Sequence, residues 1–377
     1  MIERLLQRYV EELKIKQPEV EDAFCRVLRH QFLRGWYERE REGDPKWRPF
    51  HPQHPDPRAL RKIYSDTGLL IRVKPFPSSS PQPSLIARKL EVLDLKKGMN
   101  VLEIGTGSGY SAALIAEIVA DQGLVTSLDF QPDLIQEQRA VLAEAGYGGI
   151  RLLAGDGFYG CREHAPYDRI EIDIACPDIS PHWLDQLAPD GFILVPLQHG
   201  GRTVIYAPLT KVWRADGKIL GRVVGMSVYG SMIQGELNAE LWPKPPEELI
   251  GEAEREGEEY PLFPELAKAR RKEDWLSYDS FLYFLVLADS HAFYSGWQRF
   301  GLWDKAKGVI LIQYKQGKIR LQGDKELYHK LRGIYEQWEA LGKPKASDYQ
   351  IEFAPIVAAG GRTGLRGREV LRPWGWA

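Results

Sequence analysis

Apolar residues at Leu5, Leu6, Tyr9, Val10 and Leu13 recur at helical spacing, and residues 1–40 are predicted as helix. Residues 43–60 lose that rhythm to proline, histidine and charge, which predicts an exposed loop. Between Pro75 and Pro83 the prolines fix φ and remove donors, so the stretch can be neither regular helix nor central strand. A helix is predicted directly behind it, running through Leu90 to Leu95.

From Val101 the chain alternates short apolar runs with helical ones. Strands are predicted at 101–104, 124–128, 150–153, 170–174 and 192–195, with helices at 111–119 and 132–145. Pro132 opens the second helix and Gly146 follows its end. Such alternation implies a parallel sheet covered by helices on both faces. Residues 203–209 and 211–224 read as antiparallel strands, with Asp216-Gly217 as a hairpin turn.

The pattern changes near residue 236. Pro243, Pro245, Pro246 and a glutamate-rich run from Glu252 to Glu259 predict a solvated linker. Beyond it, residues 309–314 and 318–322 flank Gln316-Gly317 as a hairpin. Asp324 then caps a helix with the stripe Leu327, Leu331, Ile334, Tyr335, Trp338 and Leu341. Tyr349, Ile351 and Phe353 alternate as a last strand, and the Gly- and Arg-rich tail from Ala358 is expected to be mobile. The expected domains are therefore 1–235, a linker at 236–272, a small α+β unit at 273–357 and a tail at 358–377.

Composition narrows the class. With 44% hydrophobic and 27% charged residues the chain reads as a soluble globular protein. A net charge of −2 gives no reason to expect nucleic acid as a partner. The apolar run 281–288 is far shorter than the roughly 20 residues a membrane span needs, so no membrane role is expected. The first residues lack the apolar core of a secretory signal, and the 3 cysteines are scattered without C-x-x-C spacing. A cytoplasmic setting is the expectation, with no metal site and the oligomeric state left open. His30 reads as a packed or hydrogen-bonding helix-end residue, Cys176 as a buried thiol, and Tyr278, Phe281, Tyr283 and Phe284 as core.

The chemistry concentrates in Val101-Leu-Glu-Ile-Gly-Thr-Gly-Ser-Gly-Tyr110, where a strand runs through Gly105, Gly107 and Gly109 into a helix. Glycines let the backbone turn tightly and let a ligand lie against bare peptide groups. The spacing is neither the dinucleotide G-x-G-x-x-G nor a P-loop. Glu103, two residues ahead of the first glycine, suits a ligand carrying an ammonium and a sulfonium better than one carrying pyrophosphate. Asp129 ends the next strand, where a carboxylate can accept from both ribose hydroxyls. Asp156-Gly157 ends the third and would flank an adenine. Glu103, Gly105, Thr106, Gly107, Ser108, Asp129, Phe130, Asp156 and Gly157 are the candidate binders of S-adenosyl-L-methionine. The fold class is α/β, a doubly wound Rossmann-like methyltransferase sheet with a small C-terminal α+β domain.

The segments Val20-Glu-Asp-Ala-Phe-Cys-Arg-Val-Leu-Arg-His-Gln-Phe32, Leu95 to Ile118, Gly155-Asp-Gly157 and Ala165-Pro-Tyr-Asp-Arg-Ile170 resemble the protein-L-isoaspartate O-methyltransferases. The resemblance covers roughly residues 15–210. It implies methylation of a carboxylate of an isoaspartyl or aspartyl residue in a peptide or protein. The family's T-I-S-x-P loop is altered here: aligned through Gln82-Pro83, the serine position holds Pro81. Ser79 or Ser80 could supply the hydroxyl, and Ser80, Pro81 and Gln82 are the candidate acceptor-binding residues. The serine run and the C-terminal features Trp303-Asp304 and Leu341-Gly-Lys-Pro344 look like a branch associated with ribosomally made peptides such as lanthipeptides and graspetides. Two other readings share the glycine loop: an RNA methyltransferase, which needs a basic face, and a non-catalytic module that kept the cofactor fold.

Methyl transfer to a carboxylate needs no general base, because the acceptor, with a pKa near ~4, is already ionised at neutral pH. It needs proximity and a site closed to water.

Overall fold

The computed structural model describes residues 2–38, 44–120, 122–176, 178–197, 207–225, 245–272, 275–289, 291–294, 299–357 and 363–373. Two compact units are present, one made of Met1–Asp173 with His182–Leu194 and the other of Ile174–Pro181 with Val195–Ala377. The boundary expected at residue 235 lies outside the described residues.

The first unit opens with α1 (Ile2–Leu13) and α2 (Pro18–Arg26), broken at Pro18, then a 3-10 turn at Arg29–Phe32. β1 (Gly35–Glu38), β2 (Lys46–Pro49), α3 (Pro57–Ile63), β3 (Leu69–Arg72), β4 (Ser78–Ser80) and α4 (Pro83–Leu93) follow. The helix expected over residues 1–40 gives way to strand at Gly35–Glu38, where Gly35 sits at φ +151° with the Trp47 ring packed over the place of its missing side chain, and residues 39–40 lie outside the described residues. The expected loop at 43–60 holds β2 and the start of α3, which Asp56 caps by accepting from the Ala59 amide at 3.0 Å with Pro57 in the first turn. β2, β1, β3 and β4 form a small antiparallel sheet in that order. The serine stretch is thus an edge strand, with prolines only at its flanks, where no ladder donor is lost.

Alternation then builds β5 (Asn100–Ile104), α5 (Tyr110–Val119), β6 (Leu124–Asp129), α6 (Pro132–Glu144), β7 (Arg151–Ala154), β8 (Tyr167–Ile172), α7 (Pro181–Asp185) and β9 (Leu187–Pro196). β5 pairs in parallel with β6 and β8, β6 with β7, and β8 with β9. The expected doubly wound order is therefore present, with Val101, Leu102, Ile170, Ile172 and Ile193 wholly buried in it.

The second unit contains β10 (Leu209–Ala215) and β11 (Lys218–Gly225), joined by Asp216 at φ +48° and Gly217 at φ +72°. Both turn residues take positive φ, as a tight hairpin demands. The predicted strand residues 203–206 lie outside the described residues. α8 (Glu247–Glu256), β12 (Glu258–Pro261), α9 (Pro264–Arg271), α10 (Trp275–Ala288), β13 (Ala292–Tyr294), β14 (Arg299–Asp304), β15 (Gly308–Gln313), β16 (Lys318–Gly323), α11 (Glu326–Ala340), β17 (Tyr349–Val357) and β18 (Thr363–Pro373) complete it.

Two expectations about this unit need correction. Residues 247–271 are not a solvated linker: Ile250 and Ala253 of α8 pack on Phe293, Val309 and Leu311. Three of the glutamates there are paired, Glu254 with Arg299, Glu258 with Lys325, and Glu259 with Lys318 and Arg320. Apolar positions three residues apart on one face made the helix despite its acidic composition. Nor is the tail wholly unstructured, since β18 pairs with β17 from Thr363 to Pro373. Asp324 keeps its capping role, accepting from the Glu326 amide at 2.8 Å. Phe281, Tyr283 and Phe284 are core, as their pattern predicts, while nothing is described of the Tyr278 side chain.

Candidate cofactor and acceptor site

The glycine loop joins β5 to α5 in the way its spacing requires. Gly105, Gly107 and Gly109 have φ of +109°, +52° and +76°, conformations that side chains resist. A Cβ on Gly107 would stand 2.6 Å from the Ser79 carbonyl oxygen, so the serine strand β4 lies directly against this loop. A Cβ on Gly157 would meet Ile104 at 2.5 Å, which ties the third strand end to the first. Trp183 fixes that turn by donating from Nε1 to the Gly157 carbonyl at 2.7 Å.

Beneath the loop the side chains are polar and closed off. Thr106 Oγ1 lies 2.7 Å from Ser127 Oγ, which donates to Glu103 Oε2 at 2.5 Å. Glu103 is wholly buried, and its other oxygen, Oε1, has no hydrogen-bond partner among the described residues. Such an orphaned acceptor is the feature that a ligand's ammonium would satisfy, and it fits the cofactor inferred from the sequence. Burial first, and then the neighbouring Asp173 and Glu171 carboxylates, push the Glu103 carboxyl well above its ordinary range.

Asp129 sits at the end of β6 with 7% of its surface exposed. Its Oδ1 accepts from the Gln131 amide at 3.1 Å, and burial raises its carboxyl against the amides of Gln131 and Gly107. Phe130 is 41% exposed beside it and meets Phe76 edge-on, ring centroids 4.9 Å apart. Asp156 is exposed and accepts from the Phe158 amide at 2.9 Å, while Gly157, Thr106 and Ser108 are buried. All nine predicted cofactor residues thus belong to the C-terminal ends of β5, β6 and β7 or to the turns that leave them. This is where open α/β sheets bind ligands.

The serine strand separates its two candidates. Ser79 is exposed beside Gly107, whereas Ser80 is wholly buried with its hydroxyl 3.4 Å from Arg29 Nε. Strand alternation sends them to opposite faces. Pro81 is half-buried and Gln82 exposed, its carboxamide donating to Asp66 Oδ2 at 2.8 Å. Asp66 Oδ1 also accepts from the Ser84 amide at 2.8 Å, fixing the start of α4.

Sequence reasoning passed over several residues here. Lys89 on α4 is wholly buried and ion-paired with Glu171 at 2.5 Å and with Asp173. Glu103, Glu171 and Ser127 are register neighbours on β5, β8 and β6, so three strands present one polar row. Burial chiefly, with Asp173 adding and Lys89 opposing, raises the Glu171 carboxyl to about 7. The signal was available: Lys89 interrupts the apolar stripe Ile86, Leu90, Leu93, and Glu171 stands between Ile170 and Ile172. Arg72 ties the β3–β4 hairpin to α6 through Asp133 and through Glu137 at 2.7 Å.

The family description "Protein-L-isoaspartate(D-aspartate) O-methyltransferase (PCMT)" matches residues 54–235. Protein-L-isoaspartate O-methyltransferase 2 of Archaeoglobus fulgidus is 35% identical over 195 residues, covering 52% of this chain and 77% of its own. The protein-L-isoaspartate O-methyltransferase of Methanococcus maripaludis strain C7 is 45% identical over 184 residues, covering 48% and 74%. The chain belongs to the protein-L-isoaspartate O-methyltransferase family. A solved structure titled protein-L-isoaspartate O-methyltransferase shares the fold across 97% of this chain and 99% of its own, with a TM-score of 0.53 at 22% identity. Fold likeness to a family structure therefore extends past the matched residues into the second unit. His30, within the family-like Arg29-His30-Gln31-Phe32, is buried with Nδ1 2.7 Å from the Tyr64 hydroxyl, the packed role its position suggested. Among the described residues no helix is long and apolar enough to cross a membrane, and no cluster of metal-ligating side chains occurs.

Proposed function

We propose that this family member transfers a methyl group from S-adenosyl-L-methionine to the side-chain carboxylate of an isoaspartyl residue in a peptide or protein. The carrying observation is the placement of the serine strand, with the Ser79 carbonyl against Gly107 of the loop that family members share. That contact supports reading the serine strand as the acceptor side and the glycine loop as the cofactor side of one site. The cofactor supplies an electrophilic methyl on a sulfonium. A carboxylate oxygen takes it as the carbon–sulfur bond breaks, leaving a thioether and a methyl ester.

This chain's residues provide binding and orientation. Glu103 Oε1 is suited to the cofactor's ammonium, Asp129 to its ribose hydroxyls, and Phe130 with Asp156 and Gly157 to its adenine. Ser79, rather than Ser80, has its hydroxyl on the open face of β4, and Pro81 and Gln82 continue that edge. No proton has to move, because the acceptor is ionised and no leaving group needs protonation. Methyl transfer from labelled cofactor to a synthetic isoaspartyl peptide tests the reading, and no transfer above background with saturating cofactor would defeat it. Three unpaired cysteines, two of them buried, support a reducing, cytoplasmic setting.

Pro81 motivates a narrower reading of the acceptor. Proline offers no hydrogen to a carboxylate, so the donors of this loop are shifted by a residue from the family's serine. An aspartyl residue held in a constrained peptide suits such a shifted set. Pro81→Ser should then raise the rate on a linear isoaspartyl peptide. A wild-type rate that the substitution does not improve would remove this narrower reading and leave the broader one standing.

A further inference from the structure

Arg29 is wholly buried, yet the groups that accept its hydrogen bonds are carbonyl and hydroxyl oxygens. Nη1 donates to Ile63 O at 2.8 Å and Ser65 O at 3.3 Å. Nη2 reaches Thr67 O at 2.9 Å, Pro81 O at 3.0 Å, and the carbonyl and hydroxyl oxygens of Ser80, each at 3.4 Å. None of these partners is a carboxylate. A buried guanidinium held by peptide carbonyls and a hydroxyl is a costly arrangement for packing alone. What it achieves is to draw three chain segments, the end of α3, the turn at Thr67 and the acceptor edge Ser80–Pro81, onto one rigid fork.

The consequence falls on the next peptide group. The cis bonds of the described chain are at Pro75 and Pro166, so the Pro81–Gln82 peptide is trans. In a trans peptide the N–H points opposite to the C=O. With the Pro81 carbonyl held by Arg29, the Gln82 N–H is turned away from the buried side. Gln82 is exposed, with φ −62° and ψ 127°, and Gly68 lies beside its amide, where a Cβ would stand in van der Waals contact with the nitrogen at 3.6 Å.

We propose that Arg29 is a positioning residue for the acceptor, gripping the Ser80 and Pro81 carbonyls from behind so that the Gln82 amide is presented to the acceptor carboxylate. This rests on the functional reading that the Ser78–Gln82 edge receives that carboxylate. Proline at 81 has no N–H, so the amide one position on takes over the donor's place beside Ser79.

The test uses Gln82, whose φ already matches proline, so the fold is left alone. Gln82→Ala and Gln82→Pro both lose the carboxamide, and only the second loses the N–H. On an isoaspartyl peptide, Gln82→Pro should fall below Gln82→Ala in kcat/KM by roughly 10- to 100-fold, the loss of one hydrogen bond to a charged group. Both should bind S-adenosylhomocysteine with equal affinity in calorimetry. Arg29→Lys should lower kcat/KM in the wild-type background and have little further effect beside Gln82→Pro. Equal kcat/KM for the two Gln82 variants, or the same Arg29→Lys loss in both backgrounds, would overturn the proposal while wild-type activity upholds the functional reading. An inactive wild type would sink both. Should Arg29→Lys fail to fold, the Gln82 pair decides alone.

Discussion

In the first unit Arg29, Lys89, Glu103 and Glu171 are wholly shut from solvent, and they cluster around the serine strand and the floor of the glycine loop. In the second unit the large buried side chains are rings: Phe281 lies 5.3 Å from Trp338 and 5.6 Å from Tyr335, and Phe263 stacks on Tyr335 at 4.3 Å. Its buried acid, Asp289, is 7% exposed and paired with Lys330 at 2.5 Å. Charge in an interior is expensive, and apolar residues of equal volume would hold the same elements more cheaply. The first unit therefore carries its buried charge where ligands are expected to enter, while the second follows ordinary packing economy. Chemistry should be sought in the first and stability in the second.

The largest effects would break this contrast if they came out alike. Lys89→Met leaves Glu171 and Asp173 facing each other without a cation, and should cost about 3–5 kcal/mol of stability. The loss should be greater at pH 8 than at pH 5.5, since the stranded acids can take up protons at the lower pH. Trp338→Ala should cost a similar amount, about 3–5 kcal/mol, through a cavity among the rings. Its cost should be independent of pH. Denaturant titrations at the two pH values compare them directly, and an equal pH response would erase the distinction.

A smaller effect sharpens it. Asp129→Ala should weaken cofactor binding by about 1–3 kcal/mol, the usual penalty for stranding polar partners, and should leave thermal stability nearly unchanged. Calorimetry showing unaltered affinity would take Asp129 out of the ribose role.

A last test is a pH slope. Folding raises the Glu171 carboxyl from 4.5 to about 7, so between those values the folded chain binds more protons than the unfolded one. Its contribution is therefore present below the lower value and is lost as pH rises through the upper. Stability should decline across that window, and Glu171→Gln should flatten the decline. A wild-type curve that rises there would contradict the assignment.

Where short-range rules govern, the sequence was a sufficient guide. The strand–glycine–helix turn, the Asp216-Gly217 hairpin and the Asp324 cap depend on neighbours within a few residues, and each formed where its residues indicated. The acidic run at 252–259 misled because its meaning depended on Arg299, Lys318, Arg320 and Lys325, which lie far along the chain. Loop 43–60 misled because polar composition hid both a strand residue set and the Asp56 cap.

The sequence by itself determined the fold class and the strand–glycine–helix loop, since hydrophobic period, glycine conformation and strand-end acids are local properties. Only the tertiary structure told Ser79 apart from Ser80, one exposed and one buried, because a one-residue step reverses the face of a strand and Arg29, fifty-one residues away from Ser80, occupies one of those faces. It alone revealed Lys89 with Glu171 and Asp173, because the partner of a buried charge is chosen by packing across elements, and no spacing along the chain encodes that distance.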